Sequence, residues 1–356
     1  MWPIKVYGEG VFMVDLNDKK AFDALAFGEI LLRLSSPVNE RIQSGAVFEK
    51  RAGGAELNVV SGISLMGLRT GIISKLPRNE LGTYIKNNIR FCGVSDDWLI
   101  YDDSKEARLG LYYYEHGVYP RKPTVVYDRK HASVNTIKTE DIPSEIYHST
   151  RLFHTSGISL ALSEQTRQTA EDLIKNFKKA GALISFDVNF RANLWSEEEA
   201  KAIIQNILPY VDILFMSEET ARRTFGRSGE LKDIIREFAK EYDINVIAST
   251  ERKILSPKKH TFGSTIYSKE ADTFYQEAPY ENIEVVDRIG SGDAYVSGVL
   301  FGLLNFGDCK VAQEYGNAAC AVKNTVLGDL PATDRKEIER IIEGHQNTGY
   351  QSEMNR

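Results

Sequence analysis

At 356 residues, with 42% hydrophobic and 26% charged side chains, the chain can bury a large core and does not have the composition of a disordered protein. A formal net charge of −6 argues against a general nucleic-acid binder but leaves room for a local basic pocket that takes an anion. No run approaches the roughly 18 uncharged apolar residues of a membrane span, so no membrane partner is expected.

Cys92, Cys309 and Cys320 have no C-x-x-C spacing and read as buried thiols of a cytoplasmic protein. Residues 1–21 lack the form of a secretory signal and read as an N-terminal extension. Residues 336–356 read as a C-terminal helix and polar tail, disordered from 346 onward.

Residues 22–34 (FDALAFGEILLRL) read as a first buried strand, interrupted at Gly28-Glu29. Residues 37–50 are polar with alternating apolar positions, the pattern of an exposed edge or lid strand. The sequence RAGGAELN (51–58) opens a helix that runs to Met66. Its glycine pair lets backbone come close to a ligand, and Asn58 supplies an amide able to bond a sugar hydroxyl. The same pair also serves as a plain tight turn. A strand at 68–76 and the sequence NELG at 79–82 follow.

From 107 to 133 the pattern becomes alternating and aromatic. LGLYYYE (109–115) and TVVYDRK (124–130) are period-two segments joined by a loop holding Gly117 and Pro120, which predicts a β-hairpin. Tyr112, Tyr127 and Arg129 then share one face. A solvated edge hairpin with surface tyrosines is the other reading.

Beyond the hairpin, strands at 151–156, 182–187, 212–216 and 245–249 alternate with helices at 164–180, 197–208 and 231–241. Such alternation predicts a mainly parallel sheet covered on both faces, with ligands outside the carboxyl ends of the strands. His154, on an apolar strand, reads as a core histidine. DVNFRANLW (187–195) directly follows a strand, so Asp187, Asn189 and Arg191 leave the sheet on one side. Arg191 is there a fork for a carboxylate or phosphate, or one arm of a salt-bridged loop. FMSEET (215–220) ends the next strand and reads as a helix cap. After Ser249 the sequence TERKILS (250–256) reads as a charged loop without glycine.

The last motif is VVDRIGSGDA (285–294), ahead of an apolar helix. Gly290, Ser291 and Gly292 before a helix turn successive N–H groups toward one point, an anion cradle at the positive end of the helix dipole. Asp293 places a carboxylate at that point, as transfer of a phosphoryl group to a hydroxyl requires. An N-capping aspartate in an ordinary turn is the plainer reading.

Strand, Asp287, Gly-x-Gly-Asp and helix resemble the C-terminal signature of the PfkB (ribokinase-like) carbohydrate kinases, with Arg288 where those enzymes usually have threonine and Ser291 where they have alanine. RAGGAELN, the strand after it and NELG resemble the N-terminal signature. The pairing of GLYYY with VVYDRK, together with DVNFRANLW, is most similar to 2-keto-3-deoxygluconate kinases. The resemblance covers 22–330 and implies a ribokinase-like three-layer α/β/α sandwich with a mainly parallel central sheet. It places the kinase domain at 22–335, with a small β-lid built from about 37–50 and 109–130. It implies ATP and Mg²⁺ as cofactors and leaves a monovalent cation open.

The same resemblance makes Asp293 the base, Gly290, Ser291 and Gly292 the anion hole, and Gly54 and Asn58 partners of substrate oxygens. Tyr112, Tyr127, Arg129 and Arg191 hold the substrate and its carboxylate. Ser217, Glu219 and Thr250 lie on the nucleotide side, Glu219 holding Mg²⁺ through water, with Asn317 near the adenine. The expected reaction is phosphorylation of the terminal hydroxymethyl of 2-keto-3-deoxygluconate by a homo-oligomer associated through its lid edges. A neutral-sugar kinase of fructokinase or ribokinase type, or a sugar-acid-binding regulator on the same scaffold, stands as the alternative.

Overall fold

The structure, a computed structural model, describes residues 18–347. Residues 1–17 of the expected extension and 348–356 of the expected tail lie outside the described residues.

The chain builds two sheets. Seven strands of the large one are parallel in the order β11 (Val246–Ser256), β10 (Ile213–Phe215), β9 (Leu183–Asp187), β8 (Thr150–Ser156), β1 (Phe22–Phe27), β4 (Thr70–Pro77) and β5 (Leu99–Asp102). Beyond β11 the sheet continues antiparallel through β12 (Lys259–Ser268), which pairs with both β13 (Thr273–Tyr275) and β14 (Tyr280–Glu284).

Strand residues alternate between the two faces, as a period-two pleat demands. Phe153, Phe186, Leu214 and Ile247 pack with Leu173, Ile174 and Phe177 of α4 (Glu164–Lys179) and Ile234 and Phe238 of α7 (Leu231–Glu241). Their neighbours Leu152, Ile213, Phe215, Val246 and Ala248 face α1 (Ala55–Leu65) and α8 (Ser291–Phe306). α8 is buried on nearly every side, and so is α9 (Cys309–Asn324), as expected of helices inside a layer rather than on its surface. The chain closes with α10 (Arg335–Gln346). His154 lies fully buried against Ser185 Oγ at 2.9 Å, with its pKa pushed down to about 3 by burial, so it is a neutral core group.

The small sheet has the order β3 (Glu49–Gly53), β2 (Leu31–Ser35), β6 (Gly110–Glu115) and β7 (Thr124–Asp128). The expected hairpin of β6 and β7 forms, and its register sets Tyr112 directly opposite Tyr127.

Three expectations are corrected here. Residues 22–34 form two strands in different sheets, because the chain leaves the core at Gly28-Glu29. The segment 37–50 is mostly turns, and its strand begins only at Glu49; the lid's inner strand is β2, which carries the apolar residues. The segment 250–256 is no loop but the outer half of β11. Cross-strand pairing from Thr250 to Ser256 along β12 supplies the backbone partners that a glycine-free charged stretch does not advertise.

Candidate active site

A cleft of about 1040 Å³ opens between the small sheet and the carboxyl ends of the parallel strands. Gly54, Asn58, Tyr112, Tyr127, Arg129, Arg191, Ser217, Glu219, Thr250, Gly290, Ser291, Gly292 and Asp293 all line it. Asn317 does not. Its buried side chain is engaged inside the protein, accepting from Ser264 Oγ at 2.7 Å and donating to Glu277 at 2.6 Å.

The anion cradle is built by the entry to α8. Gly290 caps the helix at φ 79°, a left-handed conformation that favours glycine, and a side chain there would strike the carbonyl of Asp329. The N–H of Ser291 donates to Arg288 O at 3.2 Å, and those of Gly292 and Asp293 have no acceptor within the helix. A Cβ added at Gly292 would meet nothing within 4 Å, so the turn faces open space. Arg252 and Arg288 also line the cleft, close enough that the charge of Arg288 joins burial in lowering the pKa of Arg252. Lys253 instead lies outside the cleft lining and pairs with Glu251 at 3.5 Å. This collection of N–H donors and two guanidiniums suits a polyphosphate.

Asp293 sits in the same first turn, half-buried, accepting from Asn58 Nδ2 at 2.6 Å. Burial pushes its pKa up to about 6 against the pull of Asn58 and Arg191, with the charges of Glu56 and Asp329 adding to the rise. Asp187, at the end of β9, is pushed further, to about 7, by burial and then by the charge of Asp293. Asp187 also accepts from the N–H of Asn189 at 3.0 Å, which turns the 187–191 segment so that Arg191 is exposed at the cleft wall.

On the lid side, two expected ligands already have partners. Arg129, nearly buried, donates to Glu29 and stands 5.3 Å from the Tyr127 ring centre. The hydroxyl of Tyr112 donates to Asp329. Glu29 Oε1, Arg129 Nε and Asn58 Oδ1 are buried with no hydrogen-bond partner, and all three residues line the cleft. Buried polar atoms are normally satisfied. Three at one wall mark where a polyhydroxylated ligand would complete them.

Ser217 caps α6 (Glu218–Arg223), accepting from the N–H of Thr220 at 3.1 Å. Glu219 is exposed and pairs with Arg223 at 2.8 Å. No group of three or more metal-ligating side chains occurs among the described residues.

No site role for Glu29, Arg33 or Asp329 is read from the sequence, whereas Arg288 stands out as a charge beside the phosphate turn and does line the cleft. Arg33 Nη1 lies 2.7 Å from Asp287 and 2.8 Å from Asp329, all three buried. Asp287 therefore does not end a strand: β14 stops at Glu284, and Asp287 holds a turn together through Arg33 and the N–H groups of Ile289 and Gly328. A lone charge inside an apolar run, as in LLRLS (31–35), was the one available signal for Arg33.

A parallel α/β sheet, a lid and a phosphate cradle with a carboxylate in its mouth define a small-molecule phosphotransferase architecture. Residues 22–333 match the pfkB family carbohydrate kinase, and the chain belongs to that family. It is accordingly a phosphotransferase acting on an alcohol group. Among curated relatives, the 2-dehydro-3-deoxygalactonokinase of Haloferax volcanii is 34% identical over 322 residues, covering 90% of this chain and 97% of its own. The 2-dehydro-3-deoxygluconokinase of Bacillus subtilis is 26% identical, covering 92% and 98%. Among solved structures, the 2-dehydro-3-deoxygluconokinase of Thermotoga maritima superposes with a TM-score of 0.86 at 32% identity, covering 91% of this chain and 98% of its own. A PfkB family carbohydrate kinase from Listeria grayi gives 0.85 at 31%, covering 90% and 99%.

The raised carboxyls make stability depend on pH in a definite direction. Asp187 and Asp293 hold protons in the folded state that they release when unfolded, so their contribution is fully present below about pH 4 and lost as pH rises through 6 to 7. Asp187→Asn should therefore be more stable than the wild type at pH 8, by about 1 kcal/mol or more, with the gap closing toward pH 4. Urea unfolding at the two pH values measures this; a gap that widens on acidification would contradict it.

Proposed function

We propose that the chain phosphorylates the terminal hydroxymethyl of a 2-keto-3-deoxy sugar acid of the gluconate or galactonate type. The observation that carries this reading is the opening of Asp293, the 290–292 cradle and the lid arginine onto one cleft. The names of the Haloferax and Thermotoga relatives, both kinases of such acids, support the substrate class.

The phosphate donor is ATP with Mg²⁺, which supplies the phosphoryl group and offsets charge on its oxygens. The residues present suit it. The 290–292 turn and the guanidiniums of Arg252 and Arg288 hold the transferring end. Ser217 and Thr250 line the same side, and Glu219, which pairs with Arg223 here, would hold the ion through water. Asn317, held by Ser264 and Glu277 outside the cleft lining, is not among the groups that carry this reading.

Asp293 accepts the hydroxyl proton, and Asn58 fixes its carboxylate. A pKa near 6 leaves the base ionised at neutral pH, so turnover should fall as pH drops below about 6. Arg191 is exposed, and among the described residues its guanidinium has one hydrogen bond, a long one to Phe190 O at 3.4 Å, so with Arg252 and Arg288 assigned to the phosphates it takes the substrate carboxylate. The Arg129–Glu29 pair, with its unfilled Nε and Oε1, recognises hydroxyls instead of a carboxylate. A charge-assisted bond of this kind contributes about 1.5–3 kcal/mol, enough to prefer the acid over a neutral sugar.

The outer lid strand β7 is exposed along its whole length, including Val125, Val126 and Tyr127. An open edge of this sort finds a partner, and we place a second copy of the chain there. Sedimentation at micromolar concentration should show at least a dimer, and a single monomeric species would contradict it.

Adding ATP and Mg²⁺ with a panel of gluconate-derived and galactonate-derived keto-deoxy acids, fructose and ribose should release ADP with the acids. Release only with neutral sugars would support the fructokinase or ribokinase alternative, and release with none a regulator. Asp293→Asn should lose on the order of 10²–10⁴ in kcat while still binding ADP; undiminished kcat would remove Asp293 from the role of base.

A further inference from the structure

Beneath the cradle lies a second buried cation. Lys323, on the last turn of α9, is 2% exposed. Its ammonium donates to the carbonyl oxygens of Val326 at 3.1 Å and Asp287 at 3.4 Å. Those carbonyls belong to the two segments that frame the cradle. The 286–290 segment is tied to 324–329 by the N–H groups of Val286 and Asp287 on Asn324 O, at 2.8 and 3.1 Å, and by Gly328 N–H on the Asp287 carboxylate at 3.0 Å. Gly290 then packs directly on the Asp329 carbonyl.

The charges here balance. Arg33 and Lys323 are two buried cations, and Asp287 and Asp329 are two buried carboxylates. Arg33 takes both carboxylates from the lid side. Lys323 approaches from α9 and bonds main-chain carbonyls, the way a protein binds a bare monovalent ion, and an ammonium is close to potassium in size. Burial, joined by the charge of Arg33, lowers the pKa of Lys323, and the charges of Asp287, Asp329 and Asp293 oppose that shift.

We infer that the Lys323 ammonium is a tethered substitute for a bound monovalent cation, a positioning residue that fixes the 287–290 turn so that the cradle's N–H groups point into the cleft. This rests on the kinase reading for its effect on turnover, but not for its effect on the turn. Lys323 touches neither the substrate nor the phosphates. It acts by removing the need for an ion from solution, so the monovalent-cation requirement left open by the sequence is met within the chain.

The test compares wild type, Lys323→Met and Lys323→Ala in potassium, ammonium or tetramethylammonium chloride at equal ionic strength. Two readouts are taken, melting temperature and, with the sugar acid, kcat. Wild type should give the same values in all three salts. Lys323→Met should lose on the order of 10²-fold in kcat, the scale for displacing catalytic groups by about 1 Å, with no salt restoring it. Lys323→Ala leaves a hole of the right size and charge, so potassium or ammonium, but not tetramethylammonium, should raise its melting temperature and recover part of its kcat.

Activation or stabilisation of the wild type by potassium several-fold above tetramethylammonium would overturn the inference. So would an alanine variant indifferent to the small cations in both readouts. If the kinase reading itself fails, no sugar acid is turned over in any salt, and the melting temperatures still decide about Lys323. If neither variant folds, the salt response of the wild type decides alone.

Discussion

Arg33 reaches out of the small sheet and bonds two carboxylates from loops of the main body, Asp287 in the turn before α8 and Asp329 in the segment after α9. That ion triad sits where water does not reach, and the rest of the site depends on it. Asp287 is the first residue of the turn that becomes the cradle. Asp329 receives the Tyr112 hydroxyl from the lid and presents its carbonyl to Gly290. Burying such charges is costly unless each is paired, and removing one partner from a buried pair typically costs about 3–5 kcal/mol. The lid and the phosphate turn are therefore held in one relative position, which is the condition for a hydroxyl bound under the lid to meet a phosphoryl group bound at α8.

The same logic runs through the substrate side. Glu29 leaves β1 where the chain crosses from one sheet to the other, and Arg129 comes in from the end of β7 to meet it. The pair neutralises itself, so the lid wall offers directional donors and acceptors without net charge. Arg191 follows the carboxyl end of β9 and is exposed at the cleft wall, where its charge also acts on Asp187 and Asp293. In the proposed reading this one exposed guanidinium takes the acid, and the buried pair with unfilled valences takes hydroxyls.

Much of this was legible in the sequence, because the features concerned are local. Alternating apolar strands and amphipathic helices announced a parallel sheet, period-two aromatics put Tyr112 and Tyr127 on one face of a hairpin, and Gly-x-Gly-Asp before an apolar helix marked the cradle. What stayed hidden depends on distant partners. Arg33 and Asp329 are 296 residues apart, and neither sits in a pattern that would announce a buried ion pair. TERKILS looks like a charged loop until β12 is laid beside it. Asn317 looks available until Ser264 and Glu277 are seen to fill it.

If the lid and cradle form one unit through buried charge, a residue that contacts neither substrate nor phosphate should control both. Arg33→Met, assayed for kcat, KM of the sugar acid and ADP affinity under conditions where the variant remains folded, measures this directly. The account predicts a fall in kcat together with weaker binding on both sides of the cleft. A folded variant with wild-type kcat and wild-type affinity for both ligands would show that the two halves of the site are held together by something else.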